Sequence, residues 1–206
     1  MSINVQEAAG ATQERRTLLT GLIFGGLGAI AFSGKAIIVK LSYRYGVDAV
    51  TVIMYRMLFA LPLFAVLAWR TSRDAPPLTR RDWLVVFGLG FSGYYLASFL
   101  DFAGLQYIGA SLERLILYLN PTIVLILSVV LFRHRVSREQ ATALALSYAG
   151  VLLVFGHDLR LSGNDAALGA VLVFSSAVSY ALYLVYSGAA VQRLGALRLS
   201  GLATSI

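Results

Sequence analysis

The stretch SLERLILYLNPTIVLILSVVLF (Ser111–Phe132) decides how this chain is read. As a helix rising ~1.5 Å per residue it is long enough to cross a hydrocarbon core ~30 Å thick. It is apolar throughout, except that Glu113 and Arg114 stand side by side near one end and Asn120-Pro121 interrupts the middle. A charge at the bilayer centre costs roughly 2.5–3.5 kcal/mol on insertion scales, so such residues face a bundle interior or a wet cavity rather than lipid. Proline removes one helical N–H and clashes with the carbonyl four residues back, here near Leu117. A span with these features needs neighbouring helices, and the stretch predicts an all-α polytopic membrane protein.

Composition agrees. Of 206 residues, 58% are apolar and 13% charged, with a mean hydropathy of +0.76, more apolar surface than a soluble domain of this length can bury. The net charge is +7, but the basic residues fall in short clusters between apolar runs and form no continuous basic face. They read as topogenic, the lipid bilayer is the partner, and no nucleic acid is expected. No cysteine is present, which excludes disulfides and thiolate chemistry, and two histidines (His134 and His157) make a metal site or other cofactor an unsupported expectation.

About six transmembrane helices follow from the apolar runs, near residues 18–40, 49–69, 83–102, 109–132, 140–155 and 167–190. Residues 1–17 read as an N-terminal tail. If that tail is cytoplasmic, the inside segments hold eleven basic residues (Arg15, Arg16, Arg70, Arg73, Arg80, Arg81, Arg133, Arg135, Arg138, Arg193, Arg198) and the outside ones three (Lys40, Arg44, Arg160). That bias predicts a multi-pass protein of the plasma (inner) membrane with its N-terminus in the cytoplasm.

The remaining three of the seventeen basic residues, Lys35, Arg56 and Arg114, fall within spans. With the N-terminus inside, these three, Glu113 and Asp101 come to one layer in the outer half of the membrane. Glu113 and Arg114 project about 100° apart on a helix, which predicts Glu113 facing a cation of another helix and Arg114 sharing a face with Tyr118 and Pro121. The expected substrate-binding residues are Lys35, Arg56, Glu113, Arg114, Tyr118 and Asn120, with Pro121 and Pro62 as helix breaks. A layer with a net charge of about +1 suits a carboxylate or a zwitterion.

Shifting the sequence by 148 residues lays the sixth span on the first, with Gly21, Ala29 and Ser33 falling on Gly169, Ala177 and Ala181. Five spans per repeat is an odd number, so the second copy would enter the membrane inverted, an arrangement typical of secondary transporters. The segments YRMLFALPLF (55–64), LDFAGLQYIGASLERLILYLNPTIVLILSVVLF (100–132), SREQATALALSYAGVLLVF (137–155) and LGAVLVFSSAVSYALYLVYS (168–187) resemble EamA-type members of the drug/metabolite transporter superfamily. The resemblance implies a first repeat over 18–156, the start of a second over 167–206, and alternating-access transport of a small organic metabolite. It also implies ten helices, so the chain reads as truncated after the first helix of the second repeat, with the rest supplied by a missing second half or a homo-oligomer. In many relatives the fourth helix ends in Gly-Glu, whereas this chain has Arg133-His134, so no role tied to that glutamate carries over.

Other classes compete. Gly88, Gly90 and Gly93 match G-x-G-x-x-G, but they sit inside an apolar span with no preceding strand, so helix packing explains them better than a dinucleotide. Gly90-Phe91-Ser92-Gly93 resembles the serine motif of rhomboid-type intramembrane proteases, yet neither histidine falls within a later span to act as base. No P-loop is present to use ATP. A truncated, non-transporting membrane protein or half-carrier is the main alternative, and the four-spaced stripe Gly21, Gly25, Ala29, Ser33 would suit helix contact in such an assembly.

Overall fold

The computed structural model describes residues 2–73, 75–133, 136–155 and 165–206, with side chains from Leu18 onward except at 154 and 155. Both histidines therefore lie outside the described residues. The described chain is helical: α1 (Ser2–Ser33), α2 (Lys35–Arg44), α3 (Ala49–Ser72), α4 (Arg80–Gly90), a π segment (Phe91–Leu96), α5 (Ala97–Leu105), α6 (Ala110–Leu117), α7 (Asn120–Phe132), α8 (Arg138–Phe155), α9 (Ala166–Leu194) and α10 (Ala196–Ser205). It divides into two compact units, Met1–Ile38 and Val39–Ile206.

In the first unit, α1 gives way at Gly34 to the start of α2, and the Lys35 ammonium stands 4.9 Å from the centre of the Phe32 ring. The helical path of the first span extends to Arg44, beyond the Lys40 expected.

In the second unit, local chemistry sets the helix ends. At the end of α2, Gly46 adopts φ 77°, and Val47 N–H reaches Ser42 O while Gly46 N–H reaches Tyr43 O, a Schellman closure that calls for glycine at the left-handed position. Asp48 caps α3 by accepting from Val50 N–H at 3.1 Å and Thr51 N–H at 3.3 Å. Thr79 and Asp82 form a capping box at α4, and Ser137 and Gln140 exchange the equivalent bonds at α8.

Among the described residues five helices are long and apolar enough to span, covering 18–44, 49–72, 80–105, 110–132 and 166–194. The chain is thus an all-α polytopic membrane protein. Helix α8 forms where the expected fifth span lies, but its 18 residues begin with Arg138-Glu139-Gln140, which leaves too little apolar length to reach that standard among the described residues. The third span is not one continuous α-helix: its middle is the π segment, closed by Ala97 N–H to Ser92 O five residues back. Pro62 does not break α3, which runs unbroken from Ala49 to Ser72. Beyond α9, Gly195 turns the chain at φ 81° and the following segment forms the ten-residue α10, packed along α3 and α4.

Helix α9 is the hub, packing most extensively on α5 and also against α4, α6, α7, α10 and the π segment. The face carrying Gly169, Val173, Ala177 and Ala181 is buried. A Cβ added at Gly104 would sit 2.8 Å from the Gly169 carbonyl oxygen and 2.6 Å from Val173, so α5 and α9 touch through backbone. Gly90 and Gly93 act similarly against Ala203 and the Tyr183 ring, which accounts for two of the three glycines in the dinucleotide-like pattern. Outward, large apolar side chains such as Phe59 and Leu153 are exposed, as lipid contact requires.

Candidate functional site

The fourth span breaks at Tyr118–Leu119, between α6 and α7. Proline at the start of α7 offers no N–H to Leu117, and the chain passes through a short turn in which Leu119 N–H bonds Ile116 O at 3.0 Å. The Asn120 amide donates to the Ala177 carbonyl of α9 at 3.2 Å, which ties the break to the hub helix. Tyr118, half exposed, lies in the turn itself.

One turn earlier stands the charged pair. Glu113 is fully buried (0% exposed), and the Arg114 Nε lies 3.3 Å from its Oε2. Sequence neighbours diverge by about 100°, but the long arginine stem folds back across that angle. Arg114 therefore faces its own neighbour instead of pointing away along the Tyr118–Pro121 face. The two charges largely neutralise each other inside an apolar span, an arrangement that survives burial only when well bonded.

A second polar group gathers on α2, α3 and α5. The Arg56 guanidinium sits 5.5 Å from the centre of the Phe102 ring, a cation–π distance. Asp101, 2% exposed, is near enough for its charge to act on both Arg56 and the Tyr43 phenol, and Tyr43 donates to Phe102 O at 2.7 Å. Helix α5 packs against both α3, which carries Arg56, and α6, which carries the Glu113–Arg114 pair. Lys35 belongs to the first unit, and its described contact is with Phe32.

The sequence placed Asp101 in one layer with Arg56 but not among the expected binding residues, and it gave no warning of Tyr43 or the π segment. Tyr43 looked like a loop residue. The π segment had no proline to announce it; its support is Ser179 Oγ donating to Ser92 O at 2.9 Å and Ser176 Oγ donating to Ala97 O at 2.6 Å, with the Tyr94 and Tyr183 hydroxyls 3.2 Å apart beside it. The clustered serines of FSSAVSYALY were the one available signal. The Ser92 hydroxyl leans toward Leu89 O of its own helix at 3.5 Å, and its carbonyl is the acceptor for Ser179.

Comparison with known proteins gives the family. The family model described as the EamA-like transporter family matches residues 19–156. The chain belongs to that family. It is 32% identical over 193 residues to the uncharacterized transporter YcbK of Bacillus subtilis (strain 168), a match covering 90% of this chain and 60% of that protein. It is 23% identical over 177 residues to the uncharacterized transporter YetK of the same organism, covering 84% of this chain and 53% of the relative. The chain thus spans less than two thirds of the length of these relatives. No solved structure matches. With five apolar helices, this EamA-family chain is a multi-pass membrane protein.

Proposed function

We propose that the chain forms the membrane-embedded substrate site of a secondary transporter that moves a small carboxylate-bearing or zwitterionic metabolite by alternating access. The observation that carries this reading is Glu113, wholly buried in an apolar span and paired with Arg114 one turn before the Pro121 break. A carboxylate entering this layer would draw a guanidinium away from its protein partner, and the turn at Tyr118–Leu119 gives the span a place to flex as it does so. Arg56 and Arg114 supply cations, Asp101 and Glu113 supply anions, and Tyr118 and Asn120 complete the group. The arginine bias supports a cytoplasmic N-terminus, and the reading takes the inner membrane as the site of transport. The further helices implied by the longer relatives come, in this reading, from a second copy or another segment.

Vesicles from cells making the protein, compared with vesicles lacking it, test the reading. Saturable flux of amino acids or short carboxylates is expected, with little for their amides or for neutral sugars. Equal flux of charged and neutral analogues, or none above the control, would overturn it.

A further inference from the structure

A cavity of about 610 Å³ opens at the end of α2, lined by Lys40, Tyr43, Arg44, Asp48 and Gln106 with the intervening turn. Its walls come from three places: the last turns of α2, the loop to α3, and the turn after α5. Lys40 and Arg44 stand four residues apart, hence on one face of α2. Among the described residues neither forms an ion pair.

The one acid in the wall is already engaged. Asp48 accepts from Val50 N–H, Thr51 N–H and the Thr51 hydroxyl, so its oxygens turn to the α3 N-terminus, where the helix dipole favours negative charge. The Tyr43 hydroxyl donates its hydrogen bond to Phe102 O. The groups left to meet a visitor are the Lys40 ammonium and the Arg44 guanidinium, both donors, and the Gln106 amide, which can donate through its NH2. Two cations against one committed carboxylate leave the cavity electropositive, and a planar guanidinium beside an ammonium matches a carboxylate or phosphate.

We propose that this cavity is an anion site taking one carboxylate or phosphate group, carried either by a soluble metabolite or by a lipid headgroup. Neither Glu113 nor Arg114 lines the cavity, and its occupancy is read as binding without any flux, so it stands or falls independently of the proposed transport. Because the cavity is open to solvent, binding weakens with ionic strength.

The test uses the protein in phosphatidylcholine nanodiscs, titrated with inorganic phosphate at constant ionic strength, and in a parallel arm in nanodiscs containing phosphatidylglycerol without added phosphate. Thermal unfolding should shift upward in at least one arm: with phosphate if the anion is soluble, with phosphatidylglycerol if it is a headgroup. Lys40→Gln combined with Arg44→Gln should weaken the response at least tenfold, while Arg80→Gln with Arg81→Gln, which removes the same charge elsewhere, should not. Gln106→Leu, which keeps both cations, should weaken it less, and it carries the test if the double variant does not fold. No shift in either arm, or an equal shift in the Lys40/Arg44 and Arg80/Arg81 variants, would overturn the site.

Discussion

Pro62 and Pro121 each remove one helical hydrogen bond from an apolar span, yet α3 runs intact from Ala49 to Ser72 while the fourth span breaks at Tyr118–Leu119. The difference lies in what surrounds them. Pro62 sits between Leu61 and Leu63, all exposed toward lipid, where any further opened backbone would meet only hydrocarbon. At Pro121 the preceding Asn120 reaches the Ala177 carbonyl of α9. The third span departs from α geometry with no proline at all, beside Ser176 and Ser179 of the same helix. A membrane helix deforms where a polar neighbour can hold the deformation, and here that neighbour is α9.

If α9 is the scaffold for both departures, its closest contact should be the least forgiving. Gly104→Val drives two methyls into Gly169 and Val173 and should destabilise by about 3 kcal/mol, the upper range for overpacking. Gly88→Ala, with open space around its added carbon, should be neutral or slightly stabilising. Equal losses for both in unfolding titrations would contradict the packing account.

The contrast between the prolines predicts a smaller effect. Asn120→Ala should cost about 1 kcal/mol, within the range measured for hydrogen bonds between membrane helices. It should also loosen the amides around Leu119 in hydrogen exchange, whereas Pro62→Ala should leave exchange along α3 unchanged. A loss of protection in α3 instead would mean that lipid-facing context does not protect that helix.

At the far end of the fourth span, Arg133 closes α7 at φ 54°, a left-handed position that favours glycine. Arg133→Gly should therefore stabilise by roughly 0.5–1 kcal/mol, the reverse of the usual penalty for a side chain there. No gain in unfolding midpoint would argue against strain at this cap.

The smallest effect concerns Asp48. The Thr51 hydroxyl, followed by backbone N–H groups, holds its carboxyl below the usual carboxylate range. A depressed folded-state value means that the cap's contribution is complete above the unfolded value, near ~3.9, and is lost as pH falls through the folded one. Asp48→Asn keeps a capping oxygen and should flatten the acid dependence of Val50 and Thr51 amide exchange; an unchanged profile would assign that dependence elsewhere.

Much of this was legible in the chain. The apolar runs between arginine clusters mark the spans, because burial in lipid is a compositional signal. The Pro121 turn was visible because proline acts on its own backbone. The intact helix at Pro62 was not, since its outcome depends on which face meets lipid. The shared layer of Asp101 and Arg56 followed from depth along their spans, but the π segment and the Arg114 side chain folded onto Glu113 depend on a helix distant in sequence or on a rotamer, and no spacing rule encodes them.

The decisive measurement is carboxylate and amino-acid flux in vesicles holding equal amounts of the wild-type protein and the Glu113→Gln/Arg114→Gln variant. If the buried pair forms the substrate site, flux should fall at least tenfold while membrane insertion and abundance stay unchanged. Undiminished flux in the variant would show that the pair serves only the packing of the fourth span.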